Sequence, residues 1–163
     1  MTSVFDFKSL DFVLQELKLN RIKIGSGELT NLPLIYQIGL SHQKIIFSTG
    51  MSTLEEIRLA LMSFYLGFKD EIPSLKLFEN NSYIEEFNHW LFKQGPHLIT
   101  LLHCVSEYPT DIENINLRSI HLLAKEFGLP VGLSDHTTSL EVPATATAFN
   151  VCLIEKHLTL NNA

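Results

Sequence analysis

Two histidines, each closing an apolar strand-like run, are the residues of this chain best suited to chemistry. The first ends Leu-Pro-Val-Gly-Leu-Ser-Asp-His at His136, and the second ends Val-Cys-Leu-Ile-Glu-Lys-His at His157. A helix-like stretch separates them. In a parallel αβ arrangement two such strands are neighbours pointing the same way. Their C-terminal ends then bring both imidazoles to one rim, where such folds place their chemistry. Two converging histidines with carboxylates nearby can hold a divalent metal. The other strand ends change residue type in the same way. Ile-Lys-Ile-Gly-Ser-Gly-Glu carries Lys23, Ser26 and Glu28, and Phe-Ser-Thr-Gly-Met carries Ser48 and Thr49. Leu-Leu-His-Cys-Val-Ser-Glu-Tyr-Pro carries His103, Ser106 and Tyr108, and Ser134 and Asp135 precede His136. Small hydroxyls beside glycine, where strands lead into helix N-termini, suit a phosphate. Backbone N–H groups and the helix dipole favour the anion, and Lys23 adds a cation.

Each of these residues also has a plainer reading. A strand-end histidine can be a hydrogen-bonded structural residue, and Lys23 an ion-pair partner. Ser26, Ser48 and Ser134 suit turns or caps, and Glu28 suits a helix-dipole carboxylate. His103 reads as core or as support for the site. Asp135 and Glu155 are placed to orient imidazoles. Strand alternation turns Lys156 away from His157, leaving it as a rim cation or a ligand to a substrate carboxylate. His42, His89, His97 and His121 fall on surface or helical positions.

The elements that must position these residues alternate along the chain. Strands are expected over 22–26, 44–48, 98–104, 131–134 and 151–155. Helices are expected over 9–19, 31–39, 54–65, 116–127 and 141–149. Thr30 or Asn31 caps the second helix, with Pro33 in its first turn. Thr53-Leu54-Glu55-Glu56 has capping-box spacing, and Gly128 and Pro130 close the fourth helix. The strands are near-continuously apolar, which marks a parallel sheet covered on both faces. Two architectures satisfy this, a doubly wound sheet or part of a (β/α)8 barrel. A complete barrel typically needs ~250 residues, more than the 163 here. The segment 69–96 is too long for an αβ loop and predicts an extra helix over 82–93, with Trp90 as packing.

With 45% hydrophobic and 18% charged residues, the chain has the composition of a globular domain. A net charge of -6 argues against a nucleic-acid partner, which selects a basic face. No apolar run approaches the ~18 residues that span a bilayer, and the N-terminus has no basic and apolar leader pattern. The default expectation is a cytoplasmic protein without a membrane partner. Cys104 and Cys152 both fall in strand patterns and read as reduced core thiols.

Five stretches together resemble the N-acetylneuraminate (sialic acid) synthase family, NeuB-like. They are Lys-Ile-Gly-Ser-Gly-Glu-Leu-Thr-Asn-Leu-Pro-Leu at 23–34, Phe-Ser-Thr-Gly-Met-Ser-Thr-Leu-Glu-Glu-Ile at 47–57, Leu-Leu-His-Cys-Val-Ser-Glu-Tyr-Pro at 101–109, Gly-Leu-Ser-Asp-His-Thr at 132–137 and Ile-Glu-Lys-His-Leu-Thr-Leu at 154–160. The resemblance implies a transferase of carbohydrate and surface-polysaccharide biosynthesis. Such an enzyme condenses phosphoenolpyruvate with N-acetylmannosamine or a related 2-acetamido sugar, giving a nine-carbon 2-keto acid and phosphate. It implies a divalent cation, manganese or magnesium, and a homodimer built on a (β/α)8 barrel with a C-terminal antifreeze-like domain. Carried over position by position, His136 and His157 match the metal ligands. Lys23, Ser26, Ser48 and Ser134 match positions that hold phosphoenolpyruvate, and Ser106 a polar phosphate contact. Glu28 matches a carboxylate between the two substrates, and Tyr108 a substrate-side tyrosine. Ser3 is comparable to a further strand-end serine.

Against that family, residues 1–163 correspond to an incomplete barrel, about strands three or four to eight. Segment 69–96 is an insertion, and the first strands, the last helix and the antifreeze-like domain are expected to be missing. Two functions of different class follow: a synthase, alone or completed by a second chain, or an inactive remnant serving as scaffold. A phosphosugar aldolase is a third, disfavoured by the paired histidines and the lack of a clear buried Schiff-base lysine.

Overall fold

A computed structural model describes residues 1–158 and 160 of the chain. Thr159, in the last of the five stretches, and residues 161–163 lie outside the described residues.

The chain opens with a short strand β1 (Thr2–Ser3), then α1 (Phe7–Gln15), started by an Asp6/Ser9 capping box. Strand β2 (Arg21–Ile24) leads through a single 3-10 turn, Ser26–Glu28, into α2 (Leu32–Leu40). Asn31 caps α2, accepting from the Leu34 N–H, and Pro33 sits in its first turn. Strand β3 (Lys44–Ser48) feeds α3 (Leu54–Phe68), whose Thr53/Glu56 capping box is present as its spacing predicts. The short α4 (Leu75–Phe78), then α5 (Asn81–Lys93) and α6 (Gly95–Leu98), precede β4 (Ile99–Cys104). The remainder is α7 (Arg118–Phe127), β5 (Val131–Asp135), α8 (Glu141–Ala146) and β6 (Ile154–Lys156). Gly128, at φ 65°, ends α7 in the left-handed conformation that glycine adopts without strain.

All neighbouring strands pair in parallel, in the order β1-β2-β3-β4-β5-β6. That order decides between the two architectures. A doubly wound sheet reverses direction partway, placing helices on both faces. Here every crossover steps the same way, so right-handed connections stack the helices on one side and leave the strands' other face for an interior. The fold is an α/β half-barrel of six parallel strands, an incomplete (β/α)8 barrel.

The core lies between sheet and helices. Ile22, Ile24, Ile45, Phe47, Leu101 and Leu133 bury their side chains from the strands, and Ile35, Ile38, Leu61 and Phe64 from the helices. Helices α2 and α3 meet backbone to backbone. A Cβ on Gly39 would stand 2.3 Å from the Phe64 carbonyl oxygen, and one on Gly67 2.1 Å from that of Tyr36. On the outside of α3, α5 adds an aromatic layer. The Tyr65 ring lies 4.9 Å from Trp90, 5.5 Å from Phe87 and 5.8 Å from Tyr83.

The chain departs from expectation near its C-terminal end. The helix expected over 141–149 is α8 followed by a 3-10 turn (Thr147–Phe149), stopped by Asn150 at φ 56°. The last strand begins at Ile154, not Val151. Cys104 is buried as expected, but Cys152 is exposed: its N–H bonds the Val131 carbonyl, and the residue lies at the border of the sheet, where Ile154 is exposed too. Among the described residues, no helix is long and apolar enough to cross a membrane.

Candidate active site at the strand ends

Successive residues of a strand point to opposite faces, and β5 and β6 use this to sort their chemistry. Ser134 pairs in register with Glu155, and Asp135 with Lys156. His136 follows on the face of Ser134, and His157 on the face of Glu155. Ligand atoms of His136, Glu155 and His157 all lie within 4.8 Å of one another. The two imidazole centroids are 5.0 Å apart. The Tyr108 ring covers both, at 4.0 Å from His136 and 5.3 Å from His157.

Hydrogen bonds fix the form of these groups. The Nδ1–H of His136 donates to the Val105 carbonyl at 2.6 Å, which leaves the Nε2 lone pair facing the cluster when the ring is neutral. Burial pushes the His136 pKa down, against the pull of the Val105 bond, so the neutral ligand form is favoured. Ser134 Oγ lies 2.8 Å from Glu155 Oε1, to which it donates, and 3.1 Å from His136 Nε2. One hydroxyl proton cannot satisfy both. Lys23 Nζ donates to the same Glu155 oxygen at 2.6 Å. Burial pushes the Glu155 carboxyl up, but the bonds from Lys23 and Ser134 outweigh it and hold the group below its usual range. Both bonds end on Oε1, and among the described residues none is made to Oε2. Two imidazole nitrogens and one carboxylate oxygen form a donor set that suits manganese or iron as well as zinc, and suits magnesium less. His157 is exposed and Glu155 only half-buried, so such an ion would keep coordination positions open to small molecules.

Beside this cluster the ends of β2, β3 and β4 contribute hydroxyls. Ser26 Oγ and Ser106 Oγ are 2.8 Å apart. The Gly50 N–H donates to Cys104 Sγ at 3.1 Å. A Cβ on Gly50 would stand 2.4 Å from Ser106 Oγ and 2.8 Å from Cys104 Sγ, so any larger residue there would displace both side chains. Burial pushes the Cys104 thiol up, partly offset by the Gly50 bond, the Lys23 charge and a bond to Ser26. Ser48 is 3% exposed, and among the described residues its Oγ has no hydrogen-bond partner. A buried hydroxyl without a partner costs about 1–3 kcal/mol, and one at a strand end beside a lysine is a ready donor to an anion.

Sequence-predicted residues thus fall into three groups. Lys23, Ser134, His136 and His157 form one connected cluster, with Tyr108 stacked on it. Ser26, Ser106 and Ser48 line the adjoining strand ends. Glu28 stands apart: its Oε2 accepts from Asn31 Nδ2 at 2.8 Å, and among the described residues no hydrogen bond joins it to the cluster. His103 faces the helices, its Nε2 2.6 Å from the Ile115 carbonyl oxygen, and so anchors the loop that carries Ser106 and Tyr108. Glu155, expected only to orient an imidazole, is the hub of the site. The signal was available, since the alternation that turns Lys156 from His157 puts Glu155 on the face of His157. A separate cavity of about 450 Å³, lined by Ile112, Leu117, Arg118, Glu141 and Phe149 among others, includes none of these groups. It is mainly apolar and sits on the helix side.

Comparisons with known proteins bear on the family and the fold. The chain is 36% identical over 163 residues to N,N'-diacetyllegionaminic acid synthase of Legionella pneumophila, covering 100% of this chain and 39% of that one. It is 38% identical to the Campylobacter jejuni protein of the same name, covering 99% and 40%. To pseudaminic acid synthase of Helicobacter pylori it is 35% identical, covering 99% and 39%. The chain therefore spans about two fifths of the length of these relatives. Among solved structures, N-acetylneuraminic acid synthetase of Leptospira borgpetersenii, in complex with citrate, superposes with a TM-score of 0.74 at 28% identity, covering 98% of this chain and 46% of that one. The family model described as the NeuB family matches residues 1–163, and the chain belongs to that family.

Proposed function

We propose that this protein takes part in making a nine-carbon 2-keto sugar acid by condensing phosphoenolpyruvate with N-acetylmannosamine or a related 2-acetamido sugar, releasing phosphate. The observation that carries the reading is the Glu155 hub, where one carboxylate stands beside two imidazoles and accepts from Lys23. The names of the relatives support the product class, and the half-barrel supports a site at the strand ends.

In this reading His136, His157 and Glu155 hold Mn2+, or Mg2+ less well. Bound there, the cation would supply Lewis-acid polarisation of the sugar aldehyde and offset developing negative charge. Lys23, Ser26, Ser48, Ser106 and Ser134 hold phosphoenolpyruvate. Lys23 brings the charge, and the unpartnered Ser48 hydroxyl is free to donate. C3 of phosphoenolpyruvate forms the new bond to the aldehyde carbon, whose oxygen takes up a proton. Positive character develops at C2, water adds there, and the phosphate leaves with its bridging oxygen. Glu28, held by Asn31, stabilises that centre or steers a proton. Tyr108, stacked on both imidazoles, bounds the sugar side. The partners are these small molecules, with the protein acting as a homodimer or together with a chain that completes the barrel.

The test is Mn2+-dependent phosphate release from phosphoenolpyruvate with each candidate sugar, beside His136→Ala. Release that depends on sugar and is lost in the variant is expected. Folded protein that releases no phosphate with any of them, alone and after addition of a chain that supplies the remaining strands, would overturn the reading in favour of a scaffold.

A further inference from the structure

Asp135 and Lys156 each stand one residue before a histidine of the cluster, and both point to the opposite face of the sheet. There Lys156 Nζ donates to Asp135 Oδ2 at 2.5 Å, to the Thr137 carbonyl at 2.9 Å and to the Ser139 carbonyl at 3.1 Å. Three bonds are the full donor capacity of an ammonium. The Asp135 side chain is fully buried, and its Oδ1 accepts from the Thr137 N–H at 2.9 Å. One lysine therefore ties the end of β6 to the end of β5 and to the loop that leaves it.

This matters because β6 is short and poorly covered: three residues, two of them exposed. Beyond the bonds from the Cys152 N–H to the Val131 carbonyl and from the Leu133 N–H to the Leu153 carbonyl, both 2.9 Å, the described residues give it little apolar burial to specify its register against β5. A slip of one residue would exchange faces along the strand. The Lys156 ammonium would enter the cation site, and the Glu155 carboxylate would leave it. The slip would also strip Lys156 of its three acceptors and leave Asp135 buried without a cation.

We infer that Lys156 is a positioning residue for the metal site. Through Asp135 and the carbonyls of Thr137 and Ser139 it sets the register and spacing of His136, Glu155 and His157. The inference rests on the metal reading proposed above. It predicts that the pair matters to metal affinity although neither side chain faces the metal.

The experiment is Mn2+ affinity, read from the electron paramagnetic resonance of free Mn2+, with thermal melting of the metal-free proteins alongside. Lys156→Ala would leave Asp135 buried and unpaired, so the informative variant is the double Asp135→Asn/Lys156→Met, which strands no charge. It is expected to fold and to bind Mn2+ about 10- to 100-fold more weakly, as when outer partners of metal ligands are removed. Lys156→Arg, which can still reach the carboxylate, is expected to recover most of the affinity. Phe87→Ala, in the aromatic layer far along the chain, should lower the melting temperature without weakening Mn2+ binding. A double variant with parental affinity overturns the inference alone. An equal loss in Phe87→Ala overturns it by showing that affinity only follows stability. A parent protein that binds no Mn2+ overturns the metal reading, and this inference with it.

Discussion

Where α5 packs on α3, the buried tyrosine hydroxyls end on carboxylates: Tyr65 donates to Glu86 at 2.9 Å and Tyr83 to Glu71 at 2.8 Å. At the strand ends the inventory does not close. Ser48 Oγ has no partner, and Ser134 has one proton for two acceptors. The aromatic layer has one exception, the unpartnered Trp90 Nε1. An unpartnered buried polar group is destabilising by about 1–3 kcal/mol. Among the described residues each region thus holds one unpartnered polar atom, an indole N–H in the aromatic layer and a hydroxyl at the strand ends, and under the proposed function the hydroxyl donates to the anion. The two regions should therefore respond differently to mutation, the first through stability and the second through binding.

The largest effect is expected from Phe87→Ala. The ring is 1% exposed between α5 and α3, and truncating such a side chain costs about 3–5 kcal/mol. Urea unfolding should show that loss, with Mn2+ affinity unchanged. A change in Mn2+ affinity would mean that the aromatic layer and the strand ends are one energetic unit, and the comparison would break. Next is His136→Ala. Removing a nitrogen ligand should weaken Mn2+ binding by more than about a hundredfold, beyond the range for outer partners. Retention of affinity would remove His136 from the metal set.

The regions should also fail at opposite ends of the pH scale. Burial, then Glu86 and Glu71, pushes the Tyr65 phenol well above its usual range, and burial with Glu71 does the same to Tyr83. Their ionised forms are disfavoured in the fold, so this contribution is intact below about pH 10, the free phenol value, and is lost as pH rises beyond it. Glu155 is held below its usual range, so its contribution is intact above the free carboxyl value of about 4.3 and is lost as pH falls through the lower folded value. Tyr65→Phe/Tyr83→Phe should flatten the alkaline decline of stability and change the acid limb only slightly, since Glu86, which Lys69 and Tyr65 hold below its usual range, keeps its bond from Lys69. An unaltered alkaline limb would assign that decline to other groups.

Much of this was legible in the chain because it depends on local rules. Parallel neighbours and strand alternation place His136 and His157 on one rim, and the capping residues Asn31, Thr53 and Gly128 mark their helix ends as read. The misses are non-local. The regular ladder of β6 starts at Ile154 although the Cys152 N–H and the Leu153 carbonyl already bond to β5, and the exposure of Cys152 at the border of the sheet is not written in the apolarity of 151–153. The Lys23–Glu155 bond joins residues 132 positions apart. No local pattern announces that Lys23 would bond the carboxylate that stands beside His136 and His157. The strand order, which separates a half-barrel from a doubly wound sheet, is likewise a property of pairing and not of any one strand.

The smallest effect, and the sharpest for the comparison, is expected from Ser48→Ala. Almost any substitution of a satisfied buried hydroxyl destabilises, because a partner is left behind. Ser48 Oγ leaves none. Alanine removes the desolvation cost and opens a void of only one oxygen, so the protein should be unchanged or more stable by up to about 1 kcal/mol. Affinity for phosphoenolpyruvate should move the other way. A hydrogen bond to a charged group contributes about 1.5–3 kcal/mol, so binding by calorimetry should weaken about tenfold or more. Opposite signs in one variant would show that the open hydroxyl is kept at the expense of stability for the anion. Parallel losses in stability and binding would show that Ser48 has a structural partner in solution, and that the strand ends follow the same rule as the aromatic layer.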